Sequence, residues 1–100
     1  MVDMRALQQA VYQNKVDHGF NTTNVEFEFC LTYGELGEAY QAYLKHKQDL
    51  GEELADVAIY LLGISEILGI DLEQEILKKM EKNKKRIYKK VGNEYIKEEG

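Results

Sequence analysis

Apolar side chains recur every three to four positions along most of this chain. No stretch sustains the period of two that marks a half-buried strand. The pattern predicts four helices. The first covers about 2–17, with Leu7, Ala10, Val11 and Val16 inward, and His18-Gly19-Phe20-Asn21 breaks it. Thr23 and Glu26 read as a capping box opening a second helix over 23–45. A third, over 49–68, is capped within Asp49 to Glu52 and stopped by Gly69. Asp71 caps a fourth, which runs to about residue 90. Gly92 ends the periodicity and leaves a loose tail. The expected fold is all-α: an antiparallel, four-helix bundle-like subunit formed by a domain over 1–91, with a tail over 92–100. The third helix is apolar nearly all round, through Leu54, Val57, Ile59, Leu61, Leu62, Ile64 and Leu68. Such a helix must be covered on every side, which one layer of four helices does not achieve. A homodimer or a pair of dimers is therefore expected.

Two acidic pairs interrupt the most apolar stretches: Glu35-Leu-Gly-Glu38 and Glu53-Leu-Ala-Asp56. A three-residue step sets both carboxylates of a pair on one helix face. Acid-x-x-acid spacing arises by chance in so acidic a chain, and Asp49/Glu52 reads as an ordinary solvated face. The other two pairs differ, because aliphatic and aromatic residues flank them and no run of lysines follows one turn on. Packed face to face, they gather four carboxylates that need a cation between them. An oxygen-only donor set favours Mg²⁺, or Mn²⁺, over zinc. His18 and His46 stand in no Glu-x-x-His motif, which argues against a di-iron bundle, and both read as surface or loop residues.

Charge sharpens this picture. The net charge of -5 hides a division: residues 1–77 hold 4 basic and 14 acidic side chains, residues 78–100 hold 9 basic and 4 acidic ones. An acidic body is a poor general binder of nucleic acid. An acidic site beside a basic one suits a ligand that carries both metal and phosphate. On the fourth helix, Lys79, Asn83 and Arg86 share a stripe beside Ile76, Met80 and Ile87, where they would border the interior and face phosphate oxygens. The other lysines there read as a solvated face. The single cysteine, Cys30, lies between Phe29 and Leu31, reads as core and suggests a reducing compartment. With no leader pattern and no membrane-length apolar run, the cytoplasm is the expected location and no membrane partner is expected.

Taken in order, these residues resemble the MazG-type all-α nucleoside triphosphate pyrophosphohydrolases. The resemblance rests on E-x-x-E at Glu35/Glu38, a 14-residue gap, E-x-x-D at Glu53/Asp56, and K-x-x-x-N-x-x-R at Lys79, Asn83 and Arg86. Gly19-Phe20 and Leu68-Gly69-Ile70-Asp71 belong to it as well, and it covers about residues 1–90. It implies Mg²⁺-dependent hydrolysis of a nucleoside triphosphate, a deoxynucleotide or modified nucleotide, to monophosphate and pyrophosphate. Glu35, Glu38, Glu53 and Asp56 would be the catalytic metal ligands, Lys79, Asn83 and Arg86 would meet the phosphates, and the protein would be a dimer or tetramer. The family often carries a further glutamate where this chain has Gly34. Two rival readings are a catalytically weak nucleotide sensor, motivated by Gly34, and a helical oligomerisation module.

Overall fold

An aspartate or asparagine precedes each of the four helices. The computed structural model describes residues 2–86, 88–91 and 94–97, the last two segments by their backbone. Helix α1 (Met4–His18) starts at Asp3, whose side chain accepts the Ala6 N–H, and ends at Gly19, whose φ of 68° closes the helix in the left-handed region. Helix α2 (Val25–Leu44) is capped by Asn24, not by the expected Thr23. The side chain of Asn21 accepts the backbone N–H of both Thr23 and Asn24, and this turn fixes the start one residue later. Helix α3 (Leu50–Ile67) follows Asp49, but the Asp49 side chain makes no capping bond. Gly69, at φ 69°, closes it, and the Ile70 N–H returns to the Ser65 carbonyl. Helix α4 (Leu72–Lys85) is capped by Asp71, as the sequence suggests.

Two expectations fail at the C-terminal end. Helix α4 stops at Lys85, with Arg86 already extended, rather than near residue 90. The segment expected as a loose tail contains a strand: β1 (Tyr88–Val91) pairs antiparallel with β2 (Glu94–Lys97), Tyr88 opposite Lys97 and Val91 opposite Glu94. In sequence, the many lysines hide this pairing, which backbone hydrogen bonds carry. Ile87 and Gly92 lie outside the described residues.

Helix α2 packs along α3, α3 along α1, and α4 against α1. The buried apolar centre is small: Ala39 and Ala42 from α2, Leu62 and Ile64 from α3. Gly63 brings α1 close, since a Cβ there would stand 3.5 Å from Val11. One buried amide joins α1 to the α3–α4 turn. Gln8 donates to Glu66 and to the Ile70 carbonyl at 2.6 Å, and accepts the Leu72 N–H. With all its polar atoms engaged, it sits at no polar cost in a fully buried position.

Much apolar surface stays outside this core. Tyr33, Leu36, Tyr40, Tyr43 and Leu44 of α2 and Leu54, Ile59 and Leu61 of α3 are exposed. Cys30, expected in the core, is exposed as well. Neighbours in sequence lie about 100° apart on a helix, so half-buried Leu31 does not draw Cys30 inward. Helix α4 has no buried residue, and Met80, expected to face the bundle, is 55% exposed. Among the described residues no helix is long and apolar enough to cross a membrane.

Candidate metal centre

The α2–α3 contact determines where the acids meet. Glu35 and Glu38 project from α2, and Glu53 and Asp56 from α3. One carboxylate oxygen from each of Glu35, Glu38 and Glu53 lies within 4.8 Å of the others. Asp56 stands outside this three-way meeting and is exposed, yet its charge acts on both Glu35 and Glu53.

Burial and mutual repulsion shape the electrostatics of Glu35 and Glu53. Burial lifts the Glu35 carboxyl above its ordinary range, and the charges of Glu38, Asp56 and Glu53 lift it further. A hydrogen bond to Glu38 favours the protonated form too. Glu53 is raised by burial, then by Glu38, Asp49 and Asp56, with Lys47 opposing. Tyr60, one turn beyond Asp56, is raised by burial and by Glu35, Glu28, Asp56 and Glu38. Among the described residues, Glu53 Oε2 and Asp49 Oδ1 are buried without a hydrogen-bond partner. Converging carboxylates, an orphaned oxygen and an oxygen-only donor set together fit a hard divalent cation.

The basic residues are placed elsewhere. Lys79 and Asn83 lie on exposed positions of α4, and Arg86 follows at its end, half-buried, donating to Asn83 Oδ1 at 3.1 Å. They belong to the helix that packs on α1, not to the α2–α3 pair that carries the acids. Lys47, in the turn before α3, acts on Glu53 against the neighbouring acids. His18 and His46 are exposed, as expected.

Beside the acids the structure reveals a feature the sequence reading missed. Lys15 of α1 donates to Glu28 of α2 at 2.6 Å, and Asn21 donates to the other Glu28 oxygen at 3.0 Å. Glu28 is 1% exposed, and the Lys15 side chain is mostly covered. This pair lines a groove of about 490 Å³ between α1 and α3, whose walls include Val11, Phe20, Ile59, Tyr60 and Gly63. Glu28 stands seven positions before Glu35, two turns away on the same face of α2, and that spacing was the available signal. Its partner on α1 has no signature in sequence.

The model of the MazG-like family matches residues 24–99, which takes in α2, α3, α4, the hairpin and every candidate site residue. No curated protein and no solved structure matches the chain. With three quarters of its length matched, and both acid pairs inside the match, the chain belongs to the MazG-like family.

Proposed function

We propose that this protein is a Mg²⁺-dependent nucleoside triphosphate pyrophosphohydrolase, active as a homo-oligomer of antiparallel helical subunits, and that it releases nucleoside monophosphate and pyrophosphate. The observation that carries the reading is the meeting of Glu35, Glu38 and Glu53 within 4.8 Å, with Asp56 in electrostatic reach. Family membership gives it a chemical direction.

Glu35, Glu38, Glu53 and Asp56 would hold the cation, which supplies charge neutralisation to the phosphates and acidity to a bound water. The remaining chemistry belongs to the chain. Burial, with the charges of Glu38, Asp56 and Glu53, favours the protonated form of the Glu35 carboxyl. One of these carboxylates, when ionised, would accept the proton that the attacking water gives up. Lys79, Asn83 and Arg86 are suited to the phosphate oxygens, the guanidinium by its paired donors. The groove beside Tyr60 and Phe20 is the natural seat for the nucleoside, with apolar walls for the base and polar groups at Lys15 and Asn14. Attack at the α-phosphorus then frees pyrophosphate as one unit.

A panel of ribo- and deoxynucleoside triphosphates, incubated with Mg²⁺ and resolved by chromatography, tests the reading. Monophosphate and pyrophosphate from at least one substrate are expected. Diphosphate and orthophosphate would refute attack at the α-phosphorus, and tight nucleotide binding without turnover would favour a sensor.

A further inference from the structure

One of the four residues that precede the helices does not act as a cap. Asp3, Asn24 and Asp71 are extended, with ψ of 101°, 92° and 94°, and each side chain accepts the backbone N–H three positions on. In that geometry a short side chain satisfies an otherwise unpaired helix amide. Asp49 holds the same place before α3, but its ψ is 11° and its side chain makes no capping bond. Its Oδ1 is instead buried, without a hydrogen-bond partner among the described residues. A buried carboxylate oxygen with no donor is costly, and the start of a helix gives no reason for one.

The neighbourhood of that oxygen supplies a reason. Glu53 N–H donates to the Asp49 carbonyl at 3.1 Å, which sets the two residues one turn apart. With Asp56 one turn further on, they share a face of α3. Glu53 is one of the three acids whose oxygens lie within 4.8 Å of one another, and its Oε2 is also buried without a partner. The Asp49 charge bears on Glu53 together with those of Glu38 and Asp56. The solvated face expected for Asp49 and Glu52 holds for Glu52, which is exposed, but not for Asp49, which is half-buried. Two neighbouring carboxylates, each with a buried oxygen that no N–H or O–H reaches, suit a hard cation, which takes oxygen ligands and offers no hydrogen.

We propose that Asp49 is a fifth carboxylate of the metal centre, sharing the divalent cation with Glu53. The carboxylate then serves the ion rather than the first turn of α3, which accounts for both the missing cap and the orphaned oxygen. The inference rests on the metal-centre reading and not on the reaction assigned to that centre.

Mn²⁺ binding to the full chain without nucleotide tests it, with free Mn²⁺ read by electron paramagnetic resonance. Asp49→Asn keeps the shape and the capping ability of the side chain and removes its charge. It is expected to weaken Mn²⁺ binding by about 10–100-fold, the usual loss when a metal site gives up a supporting group. Glu52→Gln removes the same charge from the same turn and should change binding less than about twofold, as expected for an exposed charge screened by solvent. Equal losses in the two variants would reduce Asp49 to a general electrostatic effect, and unchanged binding in Asp49→Asn would overturn the proposal. Melting in chelator supplies the second readout. Asp49→Asn should melt no lower than the wild type, because it removes a charge that repels Glu53 and breaks no capping bond. A lower melting temperature there would mean a structural role and would also overturn the proposal. A wild type that binds no Mn²⁺ would refute the metal centre itself. Mn²⁺ binding weakened in Asp49→Asn, in a protein that turns over no triphosphate, would refute the enzymatic reading and leave Asp49 as a ligand.

Discussion

Glu35 and Glu53 oppose the folded state whenever they are ionised. Each is raised above its ordinary value of 4.5 by burial and by neighbouring acids. Below pH 4.5 both are protonated, folded or unfolded, and no penalty applies. As pH rises through the raised values the unfolded chain ionises freely while the folded chain resists, so the metal-free protein loses stability toward neutral pH. In chelator at neutral pH, Glu53→Gln is therefore expected to melt above the wild type, with the gap closing as pH approaches 4.5. Scanning calorimetry across that range checks the sign, and a variant that melts lower at neutral pH would dismiss the repulsion. Mg²⁺ should raise the wild-type melting temperature and leave Glu53→Gln almost unmoved, because a ligand stabilises only the state that binds it. Glu38→Gln and Asp56→Asn should likewise abolish turnover with the helical circular dichroism intact. The acids could be found in sequence because helical spacing alone sets an acid-x-x-acid pair on one face. Cys30 could not be placed that way, since flanking apolar residues do not determine which way a helical position faces.

Between elements, the buried ion pair of Lys15 and Glu28 ties α1 to α2. Removing one member leaves a charge in a buried position, which costs about 3–5 kcal/mol. Lys15→Met should lower stability by that order in urea unfolding. Adding Glu28→Gln to it should recover most of the loss, since the new amide oxygen can still accept from Asn21 while the stranded charge is gone. A double variant as unstable as the single one would mean that the lysine stem matters through packing rather than charge. At the other end of the subunit, Arg86 and Lys84 provide a contrast. Lys84 is exposed and faces Glu81 at 3.7 Å, whereas Arg86 is half-buried and oriented toward Asn83. Arg86→Ala should weaken triphosphate binding by about 1.5–3 kcal/mol, the value of a charge-assisted contact, and Lys84→Ala by far less. Equal small effects in titration calorimetry would reduce the segment to a solvated basic face. Helix ends were legible to within a few residues wherever Asp, Asn or Gly chemistry acts locally. The hairpin was not, because its pairing depends on backbone contacts between segments whose side chains read as a charged helix end.

One chain leaves many aromatic and aliphatic side chains exposed, and a second copy is expected to cover them. Tyr33 at 75% exposure and Leu36 at 55% neighbour Glu35 in sequence, one of the clustered acids. A homodimer, or a pair of dimers, is expected at micromolar concentration, and light scattering after size exclusion measures it. A folded, active species with the 11.6 kDa mass of one chain would defeat it. The expectation of a partner comes from α3, whose sequence is apolar nearly all round. That α4 would bury no residue of its own could not be read from the sequence, since an amphipathic pattern does not say which surface covers it. Hydrolysis in heavy-oxygen water reads attack at the α-phosphorus of the triphosphate. With Mg²⁺ present, mass spectrometry should find the heavy oxygen in the nucleoside monophosphate and none in the pyrophosphate. Label in the pyrophosphate, or a wild type and a Glu53→Gln variant that incorporate label equally, would contradict it.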